Sequence, residues 1–129
     1  MVRALAIAAL LASAMTAGAD PLTGAPWRVT GLAGLDLPPG VQPTLAFAPE
    51  GTVTGHAGCN RYRGRYVRDG AEVTFSALIG TRMACARDVM AVESRFFAAL
   101  AAVTGLALTA EGGLELLGSD GPPLVTATR

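Results

Sequence analysis

Apolar and polar side chains alternate along most of this chain in the two-residue rhythm of half-buried strands, and one segment replaces that rhythm with a helical one. The first alternating run is Trp27-Arg28-Val29-Thr30-Gly31-Leu32, with Trp27 as its core anchor. The stretch from Leu35 to Pro43 carries Pro38-Pro39-Gly40 and Pro43 and reads as a loop. Runs at Thr44 to Ala48 and Thr52 to His56 flank Pro49-Glu50-Gly51. There proline presets the turn and glycine accepts positive φ, so the pair predicts a hairpin. A second hairpin follows, with Arg61 to Arg68 as one arm, a turn at Asp69-Gly70, and Glu72 to Phe75 as the other. Alternation along its first arm sets Tyr62 and Tyr66 on one face and Arg61, Arg63 and Arg65 on the other.

Between Asp88, the expected N-cap, and Gly105, the expected stop, apolar residues Val89, Val92, Phe96, Leu100 and Val103 recur at helical steps, with Phe97 widening the stripe. Leu106 to Thr109, Leu114 to Leu117 and a short segment near Leu124-Val125 predict three more strands, the first two joined by a turn at Glu111-Gly112-Gly113. Seven or eight short strands and one helix give a mainly β (α+β) fold. The expectation is a small antiparallel, partly closed, barrel-like sheet with the helix covering one opening.

Residues 1–19 have a basic start at Arg3, an apolar run from Ala4 to Leu11 and small residues Ala17-Gly18-Ala19 before Asp20, the layout of a cleavable signal peptide. Residues 20–129 then form one domain, long enough to enclose a single core. No apolar run reaches the ~20 residues of a transmembrane helix. The cleavage point carries Asp20 where a lipoprotein would carry cysteine, so the expected location is periplasmic or secreted. The chain has 10 arginines, no lysine and 10 acidic residues, a balance that gives no reason to bind nucleic acid.

Cys59 and Cys85 are the only thiols. In an exported chain an even count favours a disulfide, which would close a 26-residue loop; two buried, unpaired cysteines acting as small hydrophobes are the alternative. His56 is the lone histidine, three residues before Cys59, and these residues do not complete a zinc ligand set. No serine stands in a nucleophile context, and Cys59, His56 and Asn60 are crowded into five positions where catalytic triads assemble from distant segments. The chain is therefore read as noncatalytic, with no cofactor and no metal. Arg61, Arg63 and Arg65, with Arg68 beyond, form the most suggestive surface. They would sit roughly 6.5 to 7 Å apart, matched to carboxylates or phosphates, or else serve as a charged strand edge that discourages aggregation.

Gly58-Cys59-Asn60 leading into a strand, with Gly64 and Tyr66 within it, and Thr81-Arg82-Met83-Ala84-Cys85 before a helix that holds Glu93 and Phe96, resemble the META domain family, the HslJ-like heat-shock proteins of bacterial envelopes. The resemblance runs from about Pro26 to Leu117 and implies a small antiparallel barrel-like sheet with one packed helix. It assigns structural roles to Gly58, Asn60, Gly64, Tyr66, Thr81 and Met83 and no catalytic role to any residue. It also implies, loosely, heat-shock and drug-resistance functions. The expected function is that of a noncatalytic, monomeric periplasmic protein that supports envelope integrity or stress tolerance by binding an envelope protein or anionic envelope component. Two other readings are a small-ligand carrier of lipocalin-like architecture and a hydrolase inhibitor that inserts the loop Ala57 to Asn60.

Overall fold

Among the described residues eight strands form where alternation predicts them: β1 (Trp27–Leu32), β2 (Thr44–Phe47), β3 (Thr52–His56), β4 (Arg61–Asp69), β5 (Glu72–Gly80), β6 (Gly105–Leu108), β7 (Leu114–Leu117) and β8 (Val125–Thr128). One helix, α1 (Arg87–Ala102), stands between β5 and β6. The computed structural model describes residues 20–129, so the signal-peptide reading of residues 1–19 lies outside the described residues.

Each strand pairs antiparallel with the next in the chain, and β8 returns to pair with β1 through Arg28↔Thr128, Val29↔Ala127, Gly31↔Thr126 and Leu32↔Val125. The sheet thus closes into an eight-stranded barrel, more completely than the partly closed sheet expected from the sequence. The seam between β5 and β6 is thin. It has the single residue pair Glu72↔Gly105, flanked by backbone bonds from Val73 to Thr104 and from Leu106 to Ala71.

The interior is filled by the inward set of each strand, including Val29, Leu45, Val53, Leu114, Leu116 and Val125, all essentially without exposure. Tyr62, Gly64 and Tyr66 make the inward face of β4 large, small, large. The missing side chain at Gly64 leaves room for Leu78, whose Cδ2 would stand 2.5 Å from a Cβ built there. Phe47 meets Tyr66 edge-on at 5.0 Å between centroids, and Tyr62 meets Phe96 at 5.5 Å and Phe97 at 5.7 Å. Both phenols are anchored, Tyr62 Oη donating to the Thr44 carbonyl at 2.7 Å and Tyr66 Oη to the Ala48 carbonyl at 2.6 Å. Trp27 is buried, donates from Nε1 to the Leu22 carbonyl, and lies 4.0 Å beneath the guanidinium of Arg129. That guanidinium also donates to the carbonyls of Pro21, Leu22, Thr23 and Ala25, which clasps the entry segment to the last strand.

The helix buries Val92, Glu93, Phe96, Ala99 and Leu100, the stripe its periodicity predicts with one carboxylate added. Its ends differ from expectation. Ala86 is the N-cap, extended and without a side-chain cap, whereas Asp88 lies in the first turn, where its charge suits the helix dipole. At the other end Val103 caps the helix and Gly105 already opens β6. The second arm of the Tyr-bearing hairpin also runs farther than Phe75, to Gly80.

Burial raises the pKa of both tyrosines. Tyr62 is displaced well above 10 by desolvation, and Tyr66 is raised by desolvation and by the negative charges of Asp20 and Glu50, against a smaller opposing effect of Arg68. The folded state therefore holds these protons more tightly than the unfolded chain. The stability this contributes is complete below about pH 10 and is lost as pH climbs above it. Tyrosinate absorbance near 295 nm should accordingly rise in step with loss of near-ultraviolet dichroism. A titration centred near pH 10 in a still-folded protein would contradict it.

Candidate functional site

The Gly-Cys-Asn turn and the segment after β5 meet in a buried polar clamp. Gly58 takes φ +126°, and the Ala57 N–H donates to the Asn60 carbonyl at 2.8 Å, so the chain turns tightly enough to bury Cys59 and Asn60 side by side. Asn60 Oδ1 accepts from Thr81 Oγ1 at 2.9 Å and from the Met83 N–H at 2.7 Å. Its Nδ2 donates to the Met83 carbonyl at 3.1 Å and to Glu93 Oε2 at 2.8 Å, and its backbone N–H donates to Glu93 Oε1 at 2.7 Å. The carboxamide thereby uses its full donor and acceptor capacity, and each oxygen of the buried Glu93 carboxylate holds a donor. Beside it Cys59 and Cys85 form a disulfide with Cα atoms 5.9 Å apart. Three elements are joined here: the start of β4, the irregular segment 81–86 and α1. Gly58, Cys59, Asn60, Thr81, Met83 and Cys85 are thus brought together as a structural joint. Met83 acts through its backbone, its side chain being 58% exposed.

On the outside of the same hairpin lies a groove of about 540 Å³, walled by Arg61, Arg63 and Arg65 of β4 and by Ala77, Ile79 and Thr81 of and after β5, with Thr52 at one end. Register explains its shape. Arg65 pairs with Ser76 but Arg63 pairs with Ile79, so β5 carries an extra residue there, with Ala77 at φ +53°. The bulge re-aims Ile79 outward, leaving it 72% exposed. Across β3, Thr52, Thr54 and His56 pair with Arg65, Arg63 and Arg61, so the outer face is built of hydroxyls, imidazole and guanidinium groups. Glu72 stands opposite Asp69, four residues beyond Arg65, which is roughly 13 Å along the strand. Glu50, at the turn before β3, accepts from Thr52 Oγ1 at 3.3 Å but makes no ion pair with Arg65. Among the described residues none of these three arginines has a carboxylate within salt-bridge distance. Arg68 is the exception to the row. It lies on the opposite parity of β4 and pairs with Asp20, so it belongs to the joint between strand and entry segment.

The sequence does not indicate the groove's apolar wall, because the bulge inverts the alternation after Phe75 and hides Ile79 as a strand residue. Its only sign is the apolar pair Leu78-Ile79 beyond the expected strand end. His56 is half-exposed and its N–H donates to Thr44 Oγ1. Among the described residues no three His, Cys, Asp or Glu side chains converge as metal ligands, and no helix is long and apolar enough to cross a membrane. Two alternatives lose physical support. The barrel interior is packed with aromatic and aliphatic side chains, and the loop a hydrolase inhibitor would insert is buried at Ala57, Cys59 and Asn60.

The family model described as META domain matches residues 20–129. Among curated proteins no match is found. A solved structure, an NMR structure of a protein from Burkholderia xenovorans, is similar at 26% identity and TM-score 0.67, covering 85% of this chain and 88% of that one. A second NMR structure, at 22% identity and TM-score 0.66, covers 84% of this chain and 93% of its own, and shows the shared fold.

The clamp makes an ordered set of stabilities. Asn60→Ala would leave Glu93 Oε2 without its donor, keeping only the backbone N–H on Oε1, and would unpair the Thr81 hydroxyl and both backbone groups of Met83, so it should cost about 3–5 kcal/mol, whereas Glu93→Gln keeps one acceptor for the Asn60 N–H and should cost about 1–3 kcal/mol. Cys59→Ser with Cys85→Ser should cost about 3.5 kcal/mol through the freed 26-residue loop of the unfolded chain. Urea unfolding followed by Trp27 fluorescence measures all three. An Asn60→Ala loss no larger than that of Glu93→Gln would refute the clamp's central role.

Proposed function

The chain belongs to the META domain family, and from that premise we propose that it is a noncatalytic binding module of the bacterial envelope, working in the periplasm, where it supports envelope integrity or stress tolerance by holding an anionic envelope component on the arginine face of β4. The observation that carries this reading is the row Arg61, Arg63 and Arg65, exposed and without carboxylate partners among the described residues. Guanidinium forks match carboxylates and phosphates in geometry, and three of them stand on one strand face. The rigid barrel under the row supports it further. β4 is paired on both sides and tied down by two phenol hydrogen bonds, so the three guanidiniums stand on a platform ordered before any partner arrives. Compartment is supported by the Cys59–Cys85 disulfide, which suits an oxidising space, and by the signal-like residues 1–19.

A photocrosslinking residue at Thr54, exposed and paired with Arg63, tests the reading in living cells. A discrete adduct is expected that disappears when Arg61, Arg63 and Arg65 are changed to Ala. Adducts unchanged in the triple variant would overturn the role of the row.

A further inference from the structure

Among the described residues, three of the four large apolar side chains that stand exposed, Val67, Ile79 and Met83, sit on or just beyond the outer face that carries the arginines. Val67 continues the outward parity of β4, Ile79 forms the apolar wall opposite Arg63, and Met83 follows Thr81 at the groove's far end. A row of charges that served only to keep strands apart would need no apolar wall. The bulge exchanges one apolar residue for another on the outer side: without it Thr74, Ser76 and Leu78 would face out, and with it Leu78 turns in over Gly64 while Ile79 turns out beside Arg63. The groove's volume of about 540 Å³ falls within the range of small-molecule sites, which are concave, largely apolar and marked by a few placed polar groups.

Resting on the reading of the arginine row as an anion site, we infer that the groove takes a single-chain phosphate amphiphile, bound one molecule at a time. The head lies among Arg63, Arg65 and the Thr52 hydroxyl, and the tail runs along Ala77 and Ile79 toward Thr81. Phosphate is chosen over carboxylate because adjacent guanidinium forks offer more N–H donors than the two oxygens of one carboxylate use well. A phosphate monoester presents three terminal oxygens and nearly two charges. The distance from Arg61 to Arg65, roughly 13 Å along the strand, accommodates an extended alkyl tail of about eight to ten carbons.

Octyl phosphate tests this below its aggregation threshold, by calorimetry or by shifts of backbone amide resonances, with two controls that each remove one half of the ligand. Inorganic phosphate keeps the head and octyl glucoside keeps the tail. Octyl phosphate should bind at least about tenfold more tightly than either control, with shifts confined to Thr52, residues 61–65 and residues 77–81. Ile79→Ser, a change at an exposed side chain, should weaken it about tenfold or more while leaving inorganic phosphate binding and thermal stability unchanged. Arg63→Ala with Arg65→Ala should weaken both phosphates. Equal binding of octyl phosphate and inorganic phosphate would overturn the amphiphile while sparing the anion site. Failure of both, with the cellular adduct also indifferent to the arginines, would remove the anion site itself. Co-sedimentation with phosphatidylglycerol vesicles without binding of monomeric octyl phosphate would overturn the groove in favour of a lipid surface.

Discussion

The path of the chain from β5 into α1 depends on the buried contact between Asn60 and Glu93. A barrel of eight short strands gives its chain no reason to leave the sheet after Gly80, cross the irregular segment 81–86 and start a helix whose apolar stripe faces the core. Segment 81–86 buries almost nothing of its own. It is held because one carboxamide grips its backbone at Met83 and its hydroxyl at Thr81 while also meeting a carboxylate from the second turn of α1. The disulfide then restrains the same segment covalently at Cys85. Because the carboxylate is buried, a half-made version of this contact is worse than none, so the joint is complete or the helix is misplaced.

This explains why the helix needs no ordinary N-cap. Ala86 is an indifferent capping residue, and Asp88, the residue whose chemistry suggests a cap, lies inside the first turn. The helix start is set from outside, by the grip of Asn60 on Met83, three residues before the cap, and by the disulfide at Cys85, one residue before it, so local capping signals mislead there. The far end behaves similarly: Gly105 reads as a stop but is used as the first residue of β6, where its lack of a side chain lets the Ala71 carbonyl approach, 3.1 Å from a Cβ built there.

Strands β2 to β4 were legible because each is buried on one face only and keeps its alternation, as in the exposed-buried sequence of Arg61 to Tyr66, and β1 keeps it as far as Thr30, before a register shift turns Leu32 inward. β5 was legible only to Phe75. Its bulge at Ala77 shifts the inward set from Val73 and Phe75 to Leu78, and no alternation template spans such a shift. The cationic half of the groove was therefore visible in sequence and the apolar half was not. Arg68 shows the opposite failure. Proximity in sequence joined it to the row, although parity along the strand separates it and Asp20 engages it.

The order of strands around the ring is the order of strands in the chain. Seven of the eight pairings therefore close loops between consecutive strands, the longest carrying the helix, and only the pairing of β1 with β8 joins segments from opposite ends of the described residues. Such a meander adds each strand beside the one before it, so each pairing but the last closes only the loop between consecutive strands. Its last act is different in kind. Until Val125 to Thr128 are in place, β1 has an open edge on the side that β8 will occupy, and β7 has another. The stage of highest aggregation risk for this protein is thus the nearly finished barrel, one strand short of closing its own edges.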